Sequence, residues 1–416
     1  MSRHFVPRND RGVTWIATPF GLVMTKWHVI ASRRRNNPYL RFLYKSYILS
    51  NMKNYPIKEV KDIRLLGRNV AGGICKDGAV RLFWAGATLE VAVKARELWA
   101  EISCNYDFHE IWLAIEVNGY QISRFIAPKR PTWVCLARNL NPEKENLISL
   151  IKDTQPMPGD NLHELKITGL RLDDAGEFCA PKPHDCKIEF IGDSITSGEG
   201  LAGSPDEMDW ITQWMCASKT YAAQLAKKMN ASWSTISQCG WGLCWGWDGD
   251  VTSSIPMYYQ QVCGVLNGEQ QQAMGSCDAL AFEEGSDYVI LNLGTNDNSG
   301  FKSQDDGKGA AGVAGQAIIA ETKRFLGEIR RFNPKAKIIW TWGMLSLDII
   351  PALIQKGIKE YIKESSDMNV YPLELEGMDK LEKSDEDKGS RGHPGPLTHK
   401  KAAEHIYEFI KTLQNS

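Results

Sequence analysis

The sequence has no run of 18 uncharged apolar residues, which excludes a transmembrane helix. Its ten cysteines include no Cys-x-x-Cys pair, so no structural zinc site is read from them. No repeat or low-complexity tract runs through the 416 residues, which excludes a solenoid or a collagen-like rod. Net charge is nearly absent as well. With 49 Lys+Arg against 50 Asp+Glu, the sum of −1 offers no electrostatic ground for a nucleic-acid partner. A chain this long needs no disulfide to hold its core, and the thiols are expected to be mostly reduced and buried as small apolar groups. Cys179/Cys186 and Cys239/Cys244 are the pairs to test if the protein is exported.

What remains is an ordinary globular composition, 43% hydrophobic and 24% charged, long enough for two or three domains. The balanced charge hides a split. Nine of the basic residues but only Asp10 of the acidic ones fall in residues 1–51, net +8, leaving net −9 in residues 52–416. The stretch GVTWIATPFGLVMT (12–25) faintly resembles a signal peptide, but Asp10, Pro19 and Arg33-Arg34-Arg35 speak against it. Residues 1–61 are read as a basic extension that is no domain, with Met52 a plausible start of the folded chain. On that reading a cytoplasmic enzyme is expected, with export as the alternative. The other excess is tryptophan: 14 in all, with Trp241, Trp245 and Trp247 inside seven residues.

Two architectures follow in series. From 62 to 182, short segments such as AVRLFWAG (79–86), TLEVAVKA (88–95), LWAEISC (98–104), IWLAIEVNG (111–119) and HELKITGLRL (163–172) alternate in polarity between turn residues. Strands this close, without helices between them, predict an antiparallel β-sandwich of jelly-roll type. From 183 to 416 the pattern becomes strand–helix. Strands are predicted at 187–193, 232–238, 287–294, 336–343 and 369–375, and helices near 220–230, 314–333, 351–364 and 397–413. That order implies a parallel sheet covered on both faces, with ligands at the carboxyl ends of its strands. The long, weakly periodic segment 239–286 lies near such an end and is expected to be functional.

Three blocks at strand ends carry chemistry. Gly192-Asp193-Ser194-Ile195-Thr196-Ser197-Gly198 places a serine on the turn into a helix, beside free helix-start amides. Alone it reads more readily as a helix N-cap. Gly294-Thr295-Asn296-Asp297 offers a side-chain amide or a simple turn, and Gly392-His393-Pro394 a histidine on extended backbone. His184, His399 and His405 are read as bystanders, and the spacing of Asp206, Glu207 and Asp209 fits no calcium loop. No metal site is read.

Together the blocks resemble those of the SGNH (GDSL-type) hydrolases over residues 187–413, which implies a flavodoxin-like α/β fold and a serine acyl-enzyme mechanism without a cofactor. The resemblance implies Ser194 as nucleophile and His393 as base. The oxyanion hole would be formed by Ser194, Gly240 and Asn296, with Gly242 as the alternative to Gly240. The strand-rich region upstream, entered through IRLLGRNV (63–70), extends the likeness over residues 62–413 to carbohydrate esterase family two. That family implies removal of acetyl groups from oligo- or polysaccharides such as xylan, mannan or glucan. Alternatives are a lipase or thioesterase of wider acyl range and a non-catalytic carbohydrate-binding protein.

The chain departs from the wider pattern where many SGNH enzymes place an Asp three residues before the His, because here that residue is Ser390. Asp385 and Asp387 are close in sequence, but similarity to family-two members with a Ser–His dyad implies that the main-chain carbonyl of Gly392 orients His393. The same likeness implies that Trp342 flanks the substrate, while the topology is expected to turn Trp241, Trp245 and Trp247 of the long loop toward the same crevice; Asp193 is also expected to contact substrate. Trp84, Trp99, Trp112 and Trp133 are expected in the sandwich core. Oligomeric state is left open.

Overall fold

The computed structural model describes residues 52–281, 285–378 and 387–414, together with two short strands, Ile16–Thr18 and Gly21–Val23. Those two strands pair antiparallel within a unit of their own, Met1–Ser50. The reading of residues 1–51 as a basic extension otherwise lies outside the described residues. Everything from Asn51 to Ser416 forms one compact unit. No helix among the described residues is long and apolar enough to cross a membrane.

The sandwich is two antiparallel sheets. One orders Thr132–Arg138, Glu97–Asn105, Glu164–Asp173 and Met52–Pro56; the other orders Glu177–Cys179, Thr88–Lys94, Asn146–Lys152, Trp112–Val117 and Tyr120–Ile126. Period-two alternation turns Leu98, Ala100 and Ile102 of one sheet toward Leu89, Val91 and Val93 of the other, all fully buried. Each such side chain contributes on the order of 1.5–3 kcal/mol. Met52–Pro56 pairs with Glu164–Asp173 from Pro56↔Gly169 to Met52↔Asp173, and Ile57 is fully buried behind it. Residues 52–61 therefore belong to the sandwich and not to the extension.

Two further expectations about the sandwich are corrected. Only Val80–Arg81 of the segment 79–86 is strand, because Phe83 and Trp84 leave the sandwich and enter the core of the following layer. None of the four tryptophans lies in the sandwich core, Trp84 being buried in the next layer instead. Trp99, Trp112 and Trp133 are half-buried, each under an arginine: Arg138, Arg124 and Arg171.

The second layer system is a five-stranded parallel sheet of β1 (Cys186–Gly192), β2 (Ala231–Ser237), β3 (Tyr288–Asn292), β4 (Lys337–Trp342) and β5 (Val370–Glu374), in the order β2-β1-β3-β4-β5. This is the flavodoxin-like order, with its switch point between β1 and β3. Alternate residues of each strand feed opposite cores. Ile188, Phe190, Ile290 and Ile339 pack with the helices Tyr221–Lys228 and Pro396–Gln414. Ile191, Val289, Leu291, Ile338 and Trp340 pack with Val313–Phe332 and Ile350–Ser365.

The sandwich covers the edge strand β2 and shares the adjacent core. Thr235 donates to the Ala85 carbonyl, and the Trp84 indole N–H donates to the Val262 carbonyl at 2.6 Å. The buried pair Arg68–Glu189 spans the same junction at 2.8 Å. Covering the edge also removes an aggregation-prone row of unpaired backbone groups.

Lys152, at the end of a sandwich strand, is fully buried; its Nζ donates to the Phe83 carbonyl at 2.6 Å and lies 3.2 Å from His163 Nε2. Burial pushes Lys152 down to about 7. Between about 7 and the ordinary lysine value the unfolded chain therefore binds more protons, so stability falls as pH falls from about 10 toward 7. Lys152→Met removes this contribution. Urea midpoints of wild type and variant should draw closer, or cross, as pH drops from 10 to 7, whereas a pH-independent difference would contradict a neutral buried amine.

Candidate active site

The nucleophile turn follows from three residues. At Gly192, the end of β1, a Cβ would lie 2.0 Å from Thr196 Oγ1, so only glycine admits the sharp turn. Asp193 caps the short helix Ser194–Ser197 by accepting the Ile195 N–H at 3.0 Å. Ser194 is the first residue of that helix and has no helical acceptor for its N–H. Its Oγ lies 2.9 Å from His393 Nε2, across 199 positions of sequence. Asp193 itself is fully buried, and burial pushes it up to about 7. It caps the turn from below and does not line the cleft, so the expected substrate contact is not made.

The ambiguity between Gly240 and Gly242 is resolved by their partners. The Gly242 N–H donates to the Ser253 carbonyl at 3.1 Å, and a Cβ there would collide with Asp297 Oδ2 at 2.4 Å. Gly242 is a close-approach glycine. Gly240 lines the cleft with Ser194 and Asn296, and its N–H is not taken by any partner among the described residues. Asn296 donates one amide hydrogen to the Trp241 carbonyl at 2.8 Å, which orients the amide and leaves its second hydrogen for the cleft.

Asp297, a residue the motif reading passed over as part of a turn, holds this loop. Its carboxylate accepts the Leu243 and Cys244 N–H groups at 2.7 and 2.8 Å, and its carbonyl accepts the Trp245 indole at 3.1 Å. Burial pushes Asp297 up to about 6 despite those donors. The sandwich reaches the same loop. Gln155 accepts the Cys239 N–H at 2.8 Å, and the Gln238 amide donates to the Pro156 carbonyl at 2.8 Å.

His393 sits at the end of a tight turn in which Arg391 and Gly392 both have left-handed φ, 58° and 72°. Its N–H returns to the Ser390 carbonyl at 3.2 Å. Nδ1 is buried and has no hydrogen-bond partner among the described residues, so the Gly392 carbonyl does not accept from it as expected. Asp385 lies outside the described residues. Asp387 is buried and forms no ion pair with His393 among them; its carbonyl instead accepts Gly395 N–H and Thr398 Oγ1–H. The carboxylate that does approach the imidazole is Glu199, 3.6 Å from Nε2. It stands five residues after the nucleophile, just past the Gly192–Gly198 block, and the sequence reading assigned it no role.

His399 is not a surface bystander. It is fully buried, stacks on Tyr221 and accepts the Tyr221 N–H on Nδ1 at 3.0 Å, and burial pushes it down to about 3.

The tryptophan expectations are largely overturned. Trp342 follows the Ile338 and Trp340 side of β4 into the helix-packed core, is 6% exposed and does not line the cleft. Trp245 is buried against Asp297, and Trp241 packs on Tyr258 with its carbonyl, not its ring, serving Asn296. Of the three loop tryptophans expected at the crevice only Trp247 lines it, and the rest of the aromatic wall comes from elsewhere. Trp247, 64% exposed, flanks Gly240, and facing the cleft are Phe108 and His109 of a sandwich loop with Trp210 of the α/β layer. These last three stack edge-to-face in series, with centroids 4.9 and 4.7 Å apart. The cleft they enclose with Ser194 and His393 has a volume of about 580 Å³.

The family model of the GDSL-like lipase/acylhydrolases matches residues 190–400. The chain is similar to an acetyl xylan esterase, Est2A, from the rumen bacterium Butyrivibrio proteoclasticus, with 33% identity and a TM-score of 0.79 over 87% of this chain and 99% of that one. A family two carbohydrate esterase from Clostridium thermocellum, solved with cellohexaose, shares the fold at 24% identity and TM-score 0.70, covering 85% and 99%. The cellulase/esterase CelE of Acetivibrio thermocellus is 26% identical over 333 residues, 79% of this chain but 37% of that protein, so the chain spans little more than a third of that relative's length.

Proposed function

Because the chain belongs to the GDSL-like lipase/acylhydrolase family and is a serine ester hydrolase, we propose that it removes acetyl groups from oligo- or polysaccharides through an acetyl-enzyme. The observation that carries this reading is the Ser194–His393 pair, 2.9 Å apart at the base of a cleft with an exposed aromatic wall. In the first step His393 Nε2 takes the proton of Ser194 as Oγ attacks the acetyl carbonyl. The N–H groups of Ser194 and Gly240 and the Asn296 amide stabilise the oxyanion. His393 then protonates the departing sugar oxygen. Water enters by the reverse sequence and releases acetate.

Aromatic faces suit the apolar faces of pyranose rings, and an indole N–H can bind a hydroxyl. Phe108 is 82% exposed at the cleft, so no described residue occupies its outer face. Acetate release from acetylated xylan, mannan and glucan fragments tests the reading, with octanoyl esters expected to turn over far more slowly than acetyl esters. Phe108→Ala should raise KM for an acetylated oligosaccharide about fivefold to tenfold, equivalent to about 1–1.4 kcal/mol, while leaving 4-nitrophenyl acetate hydrolysis unchanged. Comparable rates on long-chain esters, without release from any polysaccharide, would refute the sugar ester as substrate.

A further inference from the structure

We infer that Glu199 is a positioning residue for the Ser194–His393 pair, supplying from the Nε2 side a negative charge that no described residue supplies at Nδ1. The inference rests on the reading of Ser194 as nucleophile and His393 as base. Position 390, where a carboxylate would be expected, is a serine whose Oγ is buried without a hydrogen bond among the described residues, and His393 Nδ1 is likewise unpartnered. Glu199 is 6% exposed. One carboxylate oxygen lies 3.6 Å from His393 Nε2 and the other 3.1 Å from Arg391 Nε.

The backbone around this carboxylate is locked to the histidine turn. Gly200 accepts the Ser390 N–H at 3.0 Å, and the Arg391 N–H donates to the Glu207 carbonyl at 2.9 Å. A Cβ on Gly200 would lie 2.5 Å from the Ser390 carbonyl and 3.0 Å from His393 Cβ, so the two segments meet with no room to spare. Arg391 holds a left-handed φ of 58° although it is not glycine, a conformation that persists only where neighbours impose it. The segment after the nucleophile thus does the work of aligning the base.

The charge has a chemical use. When the Ser194 O–H bond breaks, the proton forms an N–H bond on Nε2, and that bond breaks again as the sugar oxygen is protonated. Glu199 takes no proton at either step. At 3.6 Å it stands just beyond hydrogen-bond reach, so Nε2–H remains directed at Oγ, while Coulomb attraction favours the imidazolium in a site shielded from water. Among the described residues, the other groups around the imidazole are few. Arg391 opposes Glu199 from the histidine's own turn, His399 lies behind on the last helix, Asp387 is buried in the same loop, and Asp193 and the Cys239 thiol adjoin Glu199.

The test is 4-nitrophenyl acetate hydrolysis by the full chain as wild type, Ser194→Ala, Glu199→Gln and Arg391→Gln, across pH 4.5–9, with a melting temperature for each. Glu199→Gln should lower kcat by about 30-fold, less than the ~10⁴ of losing an aligned triad carboxylate, with KM within about twofold. Its kcat/KM profile should also shift, because activity needs the neutral imidazole and loss of the neighbouring charge disfavours the protonated form. The acid limb then moves to lower pH. Arg391→Gln should move the limb the opposite way.

Wild-type kcat in Glu199→Gln, or a loss of kcat with an unmoved limb, overturns the proposal. If Glu199→Gln does not fold, Arg391→Gln decides, an unmoved limb counting against it. An inert wild type, or full activity in Ser194→Ala, would instead overturn the underlying catalytic reading.

Discussion

Ser194→Ala should lower kcat/KM for acetate release by at least about 10⁴-fold. The size of the effect follows from the absence of a substitute. Among the described residues His393 Nε2 meets Oγ at 2.9 Å, with Glu199 the one carboxylate within ion-pair distance of that nitrogen. Without Oγ the imidazole can only activate water, and serine hydrolases stripped of the nucleophile keep the modest catalysis of binding and oxyanion stabilisation. The fold should be indifferent, since the helix is capped by Asp193 and loses one hydroxyl. Acetate release and the mass shift from an active-site phosphonate are the two readouts. Turnover within tenfold of wild type, or labelling of the variant, would remove Ser194 from the mechanism.

Asn296→Ala carries the second largest effect, a fall in kcat of about 10²–10³ with KM little changed. Its amide is held by the Trp241 carbonyl at 2.8 Å, so the remaining hydrogen needs no reorganisation when negative charge develops on the substrate oxygen. The ground-state carbonyl binds such a donor weakly, which is why the loss should fall on kcat. The variant also frees the Trp241 carbonyl, which borders the half-buried ring contact with Tyr258, so a small drop in melting temperature should accompany the change. A kcat within fivefold of wild type would assign the oxyanion to the backbone donors alone.

Ser194, Asn296 and His393 were legible because each follows a short apolar strand or precedes a helix, and three such blocks in order constrain one another. The parallel strands were legible for a related reason. Burial on both faces makes β3 and β4 nearly continuous apolar runs, β1 being interrupted by Lys187 and Glu189, and their ends came within a residue or two of the ladders found.

Six sandwich strands escaped notice, Met52–Pro56, Ile63–Leu66, Tyr120–Ile126, Thr132–Arg138, Asn146–Lys152 and Glu177–Cys179, and three of them show a local cause. Tyr120–Ile126 is an edge strand with no consistently buried face, and Thr132–Arg138 carries a bulge between Cys135 and Ala137 that breaks its alternation. Asn146–Lys152 buries both faces and even its terminal lysine. The aromatic lining was the least legible part of the site. Composition shows that rings are plentiful, but whether a ring faces helix or solvent is decided by strand parity, as at Trp342, or by a loop from another layer, as at Phe108. Glu199 was overlooked because its partner Arg391 lies 192 positions away, and no local pattern announces such a pair.

The grip of Gln155 and Pro156 on residues 238–239 bears on how this architecture can be rearranged. A sugar-binding module on a tether can be exchanged between enzymes without touching their chemistry. Here the sandwich supplies Trp84 to the neighbouring core, covers the open edge of β2 and holds the backbone immediately before Gly240. Trimming it away would leave an exposed strand edge, buried residues facing water and an unsupported oxyanion loop. Exchange of substrate preference is therefore confined to its loops, such as the one bearing Phe108 and His109, while the sandwich itself must be inherited together with the hydrolase layer.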